Sequence, residues 1–248
     1  GGGFRAQYFL RIAQALPEQF RVSGMVVRDE SKGQEMESRW GVATSRTLDE
    51  LLTRERPDFV VLSVPPSSAM DYMLELAERG MSVLTETPPA PDLDGLLRLH
   101  DLLTRKGARI QVAEQYPLHP LQQAREAVIR SGMLGIVNQV TVSISHFYHA
   151  VSLIRKFLGI AFEDVRIRAM RFESEWVAGP TRSGPPTEDK LVKSERDLAW
   201  LDFGGKLGIY DFTKDQHRSW IRYNHLCIRG ERGEIFDRRI SIQDPSCR

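Results

Sequence analysis

The sequence is poor in cysteine, in net charge and in long apolar runs, and each shortage closes off a class of function. Two cysteines in 248 residues, Cys227 and Cys247, are too few for a disulfide framework. Neither has the spacing to a second cysteine or to a histidine pair that a structural metal needs. A reducing, cytoplasmic setting is expected. Lysine plus arginine number 34 against 33 acidic residues, so no global positive field exists to draw nucleic acid or an anionic membrane. No stretch approaches the ~20 apolar residues of a membrane span, and the amino terminus lacks the charged-then-apolar pattern of a secretion signal. A soluble protein is expected, with small molecules as partners and neither nucleic acid nor membrane among them. What is present is a chain 41% hydrophobic, long enough for one large domain or two smaller ones. Two are expected.

The first half alternates short apolar runs with stretches of helical period, the sequence form of a parallel sheet with helices on its faces. Strands are predicted at Val22–Val27, Phe59–Val64, Ser82–Thr85 and Arg109–Val112. Thr47 with Glu50 reads as a capping box, and Gly80 and Gly107 stand just past helix ends. After Pro117 the pattern changes. A helix around Leu121–Ile129 stops before Gly132, a strand Ile136–Ser145 follows, and a short helix near Val151–Leu158 closes at Gly159. Then Phe162–Phe172, Asp197–Phe203, Lys206–Phe212 and Ser219–Arg229 read as a mostly antiparallel sheet that turns at Gly204-Gly205 and at Gly230–Gly233. The segment Gly179–Lys190, with three prolines and two glycines, reads as a loop.

The chain opens Gly1-Gly2-Gly3-Phe4-Arg5-Ala6, which fits G-x-G-x-x-G/A, and runs into the amphipathic stretch Tyr8, Phe9, Ile12, Ala13, Leu16. Glycine lets the backbone approach a diphosphate, and the helix start offers N–H groups and a positive dipole end. A glycine-rich terminus alone says little, but this one precedes a helix and then a strand ending where a ribose-reading residue is expected. Gly1, Gly3, Phe4 and Arg5 are therefore candidate cofactor contacts. Beyond that strand come Arg28 and Asp29, with Val27 in the place of the acid that favours NAD; an arginine there suits the 2′-phosphate of NADP. The cofactor expected is NADP or NAD, with NADP favoured and Arg28 and Asp29 as contacts. That these two are solvated turn residues stays open. A strand feeding the glycine loop is missing, and in the usual order it is central, so its neighbours would lose ladder hydrogen bonds. The sequence is expected to begin inside the protein and to stop short of its end. The fold class is α/β: a Rossmann dinucleotide-binding domain over 1–117, then an α/β domain over 118–248 with a mostly antiparallel open sheet.

Five further motifs follow in order: Phe59 to Ser67 with the pair Pro65-Pro66, Ser82-Val83-Leu84-Thr85-Glu86-Thr87-Pro88, Gln111 to Tyr116 with His119-Pro120, Gly132 to Gly135, and Gly230 to Ile235. In this order the chain resembles the Gfo/Idh/MocA oxidoreductases, the glucose-fructose oxidoreductase and inositol dehydrogenase group, over nearly its whole length. The resemblance implies that Val64, Pro65, Pro66 and Gln115 line the dinucleotide, that Glu86 lies near its ribose, and that Tyr116 touches substrate, ordinary core packing being the equal alternative for Tyr116. It implies NAD(P)-dependent hydride transfer to or from a sugar, cyclitol or related polyol in a crevice between the domains. It also implies a homo-oligomer, dimer or tetramer, formed through the second domain's sheet.

Two departures bear on mechanism. The family signature Glu-Lys-Pro has Thr87 in place of the lysine that assists proton transfer, and threonine is neither a cation nor an efficient general base at neutral pH. The family's aspartate, four residues before a histidine, corresponds to Ser145, and the histidine to His149. The stretch from Gly135 to His149 is also shorter than the family usually has. Histidine suits proton transfer near pH 7, which makes His149 the first candidate for acid/base work, with Glu86 and Thr87 beside it; a capping or core histidine is the plainer alternative. His146 and Tyr148 rank lower, because in a strand-like run His146 faces away from His149. Lys214–Trp220 reads as a solvated hairpin, and Trp176, Trp200 and Trp220 as core or oligomer-face residues. No metal site is expected. The leading expectation is an oxidoreductase, and the second is a dinucleotide-binding sensor or assembly protein that lost its chemistry.

Overall fold

Apolar residues at helical and strand spacing gather around separate cores, and the chain divides into two units, Gly1–Glu114 and Gln115–Arg248. The sequence places the break after residue 117. The structure, a computed structural model, describes residues 1–181, 183–244 and 246, so Cys247 lies outside the described residues.

In the first unit the order is α1 (Ala6–Ala15), β1 (Met25–Val26), α2 (Glu30–Trp40), β2 (Thr44–Ser45), α3 (Leu48–Arg54), β3 (Phe59–Leu62), α4 (Pro66–Glu78), β4 (Ser82–Thr85), α5 (Leu93–Arg105) and β5 (Ile110–Val112). Every strand pair is parallel, as βαβ connections require. The pairs form two ladders, β1 with β2 and β3-β4-β5, and among the described residues no strand joins them. β1 is shorter than the expected Val22–Val27 because its ladder bonds come from one side only: Met25 N–H donates to the Ala43 carbonyl at 3.0 Å and Val27 N–H to that of Ser45 at 2.9 Å. The core packs Met70, Met73 and Leu76 of α4 and Leu99 and Leu102 of α5 against Leu62 and Val83.

Two details of this unit depart from the sequence pattern. α1 buries Ala6 and Leu10, and turns Tyr8, Ile12 and Leu16 outward. At α3 the Thr47 hydroxyl accepts from Glu50 N–H at 3.1 Å, but the Glu50 carboxylate reaches the Arg46 N–H at 2.7 Å, one residue before the position a capping box uses.

The second unit runs through a 3₁₀ turn Tyr116–Leu118, α6 (Pro120–Arg130), β6 (Val137–Ser143), α7 (Phe147–Leu158), β7 (Arg166–Val177), β8 (Leu191–Asp202), β9 (Leu207–Thr213), a 3₁₀ turn Lys214–Arg218, β10 (His225–Gly230), β11 (Gly233–Phe236) and β12 (Arg239–Ile242). The seven strands lie in the order β12-β11-β10-β6-β9-β8-β7, antiparallel except where β6 meets β9. α7 lays Leu153, Ile154 and Phe157 on Val140, Val142, Phe212 and Leu226. Gly208 lets it come close, since a Cβ there would stand 2.5 Å from Cγ2 of Ile154. The expected hairpin at Lys214–Trp220 is corrected to a 3₁₀ turn. Gln216 Nε2 donates to the Ser143 carbonyl at 2.7 Å, and Asp215 accepts from the Ser194 hydroxyl at 2.7 Å, so the charged run is tied down at two points. Trp176 is buried, whereas Trp200 and Trp220 are exposed.

Gly230 marks a register shift between β10 and β6, and a Cβ there would fall 2.2 Å from the Leu134 carbonyl oxygen. Backbone cannot rotate out of the way as a side chain can. Gly230→Ala is expected to cost about 1–3 kcal/mol through overpacking, read as a lower midpoint in thermal unfolding of the second unit.

Candidate active site

The first-unit candidates all gather at the carboxyl ends of the parallel strands, where open α/β sheets take their ligands. A Cβ on Gly1 would lie 3.1 Å from the Ser63 carbonyl and one on Gly2 3.3 Å from Cε of Lys32, whereas one on Gly3 would meet nothing within 4 Å. The loop is thus seated against the end of β3 and against α2 while its third glycine opens on empty space. α1 begins directly after it, with no side-chain cap at Arg5 and no acidic residue in its first turn. A cradle at the positive end of a helix fits a diphosphate.

Around the cradle, Arg5 Nη2 stands 3.0 Å from Glu86 Oε1, a charge pairing without aligned hydrogen-bond geometry. Glu86 itself is held by its N–H, which donates to the Leu62 carbonyl at 2.9 Å, and Thr87 follows it half-buried. Val64 is half-buried, Pro65 is the N-cap of α4 and Pro66 its first residue. After β1, Val27 is buried and Arg28 exposed. The Asp29 carboxylate caps α2 by accepting from Lys32 N–H at 2.7 Å. Arg46 Nη1 donates to the Val27 carbonyl at 2.6 Å, and it occupies the space a side chain on Gly33 would need.

In the second unit Gln115 is exposed and is the N-cap of the first 3₁₀ turn. The Tyr116 ring on that turn packs on His149, with ring centres 4.6 Å apart. His149 is buried in the first turn of α7, and its N–H donates to the His146 carbonyl at 3.2 Å. The expectation that His146 faces away is corrected: its ring centre lies 5.1 Å from that of His149. The two-residue alternation ends with β6 at Ser143, and His146 is already the N-cap of α7. The helix opens on Phe147 at φ +41°, a strained conformation for a non-glycine residue. It is held there by its N–H, which donates to the Tyr210 hydroxyl at 3.2 Å; burial pushes the Tyr210 phenol up, so it remains neutral. Ser145, in the place of the family's aspartate, is fully buried, and its Oγ has no hydrogen-bond partner among the described residues.

His217 was not a sequence candidate, yet its Nε2 lies 3.5 Å from Nδ1 of His146. Phe212 packs against both rings. Partial desolvation, then the charges of His146, Arg218 and His149, hold the His217 imidazole below its ordinary pKa. Among the described residues no group of three or more His, Cys, Asp or Glu could hold a metal ion. Burial pushes the Cys227 thiol up to about 11, which leaves it protonated and a poor nucleophile.

Parallel ladders, a glycine loop and open strand ends define the first unit as an α/β domain of the kind that takes ligands at its strand ends. Residues 1–114 match the model of the oxidoreductase family with an NAD-binding Rossmann fold. The match spans less than half of the chain, which is similar to that family over its first unit. An uncharacterized oxidoreductase of Rhizobium meliloti is 28% identical over 137 residues, 53% of this chain and 41% of its own length. A D-xylose 1-dehydrogenase (NADP(+)) of Haloferax volcanii is 29% identical over 119 residues, 48% of this chain and 36% of its own. The chain therefore spans about two fifths of the length of the curated relatives it matches. The WlbA dehydrogenase from Chromobacterium violaceum, solved with NADH and UDP-GlcNAcA, superposes with a TM-score of 0.75 at 15% identity, covering 99% of this chain and 76% of its own. At that identity the likeness is one of fold. Among the described residues no helix is long and apolar enough to cross a membrane.

Proposed function

We propose that the chain is an NAD(P)-dependent oxidoreductase that moves hydride to or from a hydroxyl-bearing carbon of a sugar, cyclitol or related polyol. The observation that carries this reading is the open cradle at Gly3 in a unit whose sequence matches an NAD-binding family. The bound nicotinamide would supply the hydride acceptor or donor. Gly1, Gly3, Phe4 and Arg5 would hold its diphosphate, Glu86 its ribose, and Val64, Pro65, Pro66 and Gln115 its flanks. Arg28 and Lys32, whose stem lies beside Gly2, favour a 2′-phosphate and hence NADP. Asp29, engaged as a helix cap, sits beside them.

His149 would hold or release the proton of the substrate hydroxyl, the work lysine does in the family, and Tyr116 would orient it. Thr87 would offer a hydrogen bond and no charge. On the uncovered face of the second sheet Met170, Phe172 and Trp200 are 50%, 49% and 41% exposed, and such an apolar face supports a homo-oligomer built through it. The proposed setting is the cytoplasm. A second reading, a dinucleotide-binding sensor, is favoured by Thr87 and by Ser145 in place of the aspartate.

Calorimetry with NADPH and NADH, followed by turnover on a panel of sugar and inositol ketones read by nicotinamide absorbance, separates the two. Tight cofactor binding with turnover supports the enzyme. Binding with no turnover on any ketone supports the sensor, and no binding overturns both.

A further inference from the structure

The second unit brings three imidazoles together, running from buried to exposed. His149 is 7% exposed, His146 is half-buried, and His217 is exposed while its ring packs on Phe212. The rings of His149 and His146 are perpendicular and meet edge to face, with centres 5.1 Å apart. From His146 the next step is direct, Nδ1 to Nε2 of His217 at 3.5 Å.

The surroundings fix this arrangement. Gln216, the residue before His217, donates to the carbonyls of Ser143 and Tyr223 at 2.7 and 3.0 Å, which binds the turn to the end of β6. The Asp215 carboxylate is turned away to the Ser194 hydroxyl. The turn also carries the cations Lys214 and Arg218, and the field of Arg218 disfavours a resident positive charge on His217. Tyr148, with its ring 5.8 Å from His146, and Tyr116 face the row from the other elements.

We propose that His146 and His217 are a proton relay that connects His149 with bulk solvent. The proposal rests on the oxidoreductase reading for the source of the proton. During alcohol oxidation the substrate O–H bond breaks and an N–H bond forms on His149, while the C–H electron pair leaves with the hydride. The His149 imidazolium then gives a proton to neutral His146. That ring releases its other proton to neutral His217, which passes it to water. One proton reaches solvent and all three rings return to neutral; reduction runs the row backwards. His146 and His217 are positioning residues here, acting through His149. Such a path has a task here, because a buried histidine that carries a proton must exchange it between turnovers.

Histidine ring resonances followed against pH in the cofactor-free protein test the pair, and steady-state turnover tests the relay. In the wild type His146 and His217 are expected to titrate as a coupled pair with two apparent steps. In His217→Gln, which keeps an amide within reach, His146 is expected to titrate in a single step. Turnover of His217→Gln is expected to fall roughly tenfold in weak buffer and to recover with added imidazole, with KM for the sugar unchanged. Independent single-site titrations in the wild type, or a loss that imidazole does not restore, would overturn the relay. Coupled titration with no turnover on any substrate would instead overturn the oxidoreductase reading and with it the relay's task.

Discussion

Gly3→Val is expected to weaken NADPH and NADH binding at least ~100-fold, about 2.7 kcal/mol, while the midpoint of thermal unfolding of the free protein moves by no more than about 1 °C. The two halves of this expectation come from one observation: a Cβ on Gly3 meets no atom within 4 Å. The branched side chain would occupy the space in which the backbone must approach a diphosphate, and nothing in the free protein would be displaced. Gly2→Val is the control, because its Cβ would press on Lys32 and Met36 of α2 at 3.3 and 3.4 Å and should cost stability as well. Calorimetric titration of both variants, with their melting curves, distinguishes a site from a strained terminus. If Gly3→Val binds dinucleotide as the parent does, the cradle is not the diphosphate site.

Turnover in His149→Ala is expected to fall by ~10²–10⁴, the range of a general acid–base group, with dinucleotide affinity unchanged. Thr87→Ala should lose less than about tenfold, since its hydroxyl can orient a substrate oxygen but not take its proton. The expected contrast comes from placement: His149 is buried against Tyr116, whereas Thr87 follows Glu86 at the end of β4. Equal losses in the two variants would place the proton chemistry elsewhere. Because His149 is buried in α7, melting curves must accompany the kinetics; His149→Asn, of similar reach and polarity, separates a lost proton carrier from a lost packing contact.

Much of the architecture was legible in the sequence wherever it is set by local periodicity. Ser82–Thr85 is the strand its alternation announces, and Leu121–Ile129 lies within α6. The long central strands were placed but not bounded, since β7 and β8 extend to Val177 and Leu191 through pairing with each other rather than through local pattern. The open space beside Gly3 lies where the glycine spacing predicts a close backbone approach. His217 was not legible. Its contact with His146 joins residues 71 apart in sequence, and the lysine, aspartate and arginine around it look like any solvated turn. The side of α7 that His146 shares with His149 was misjudged because the change from strand to helix falls between Ser143 and Phe147, where one periodicity hands over to another.

Arg5 leaves the glycine loop to meet Glu86 at the end of β4, with 3.0 Å between guanidinium and carboxylate. A diphosphate seated in the loop would compete for that guanidinium, because phosphate oxygens accept from arginine as a carboxylate does. Seating the phosphates would then loosen Glu86 for a ribose hydroxyl, so that two ends of one nucleotide would be gripped in sequence through a single side chain.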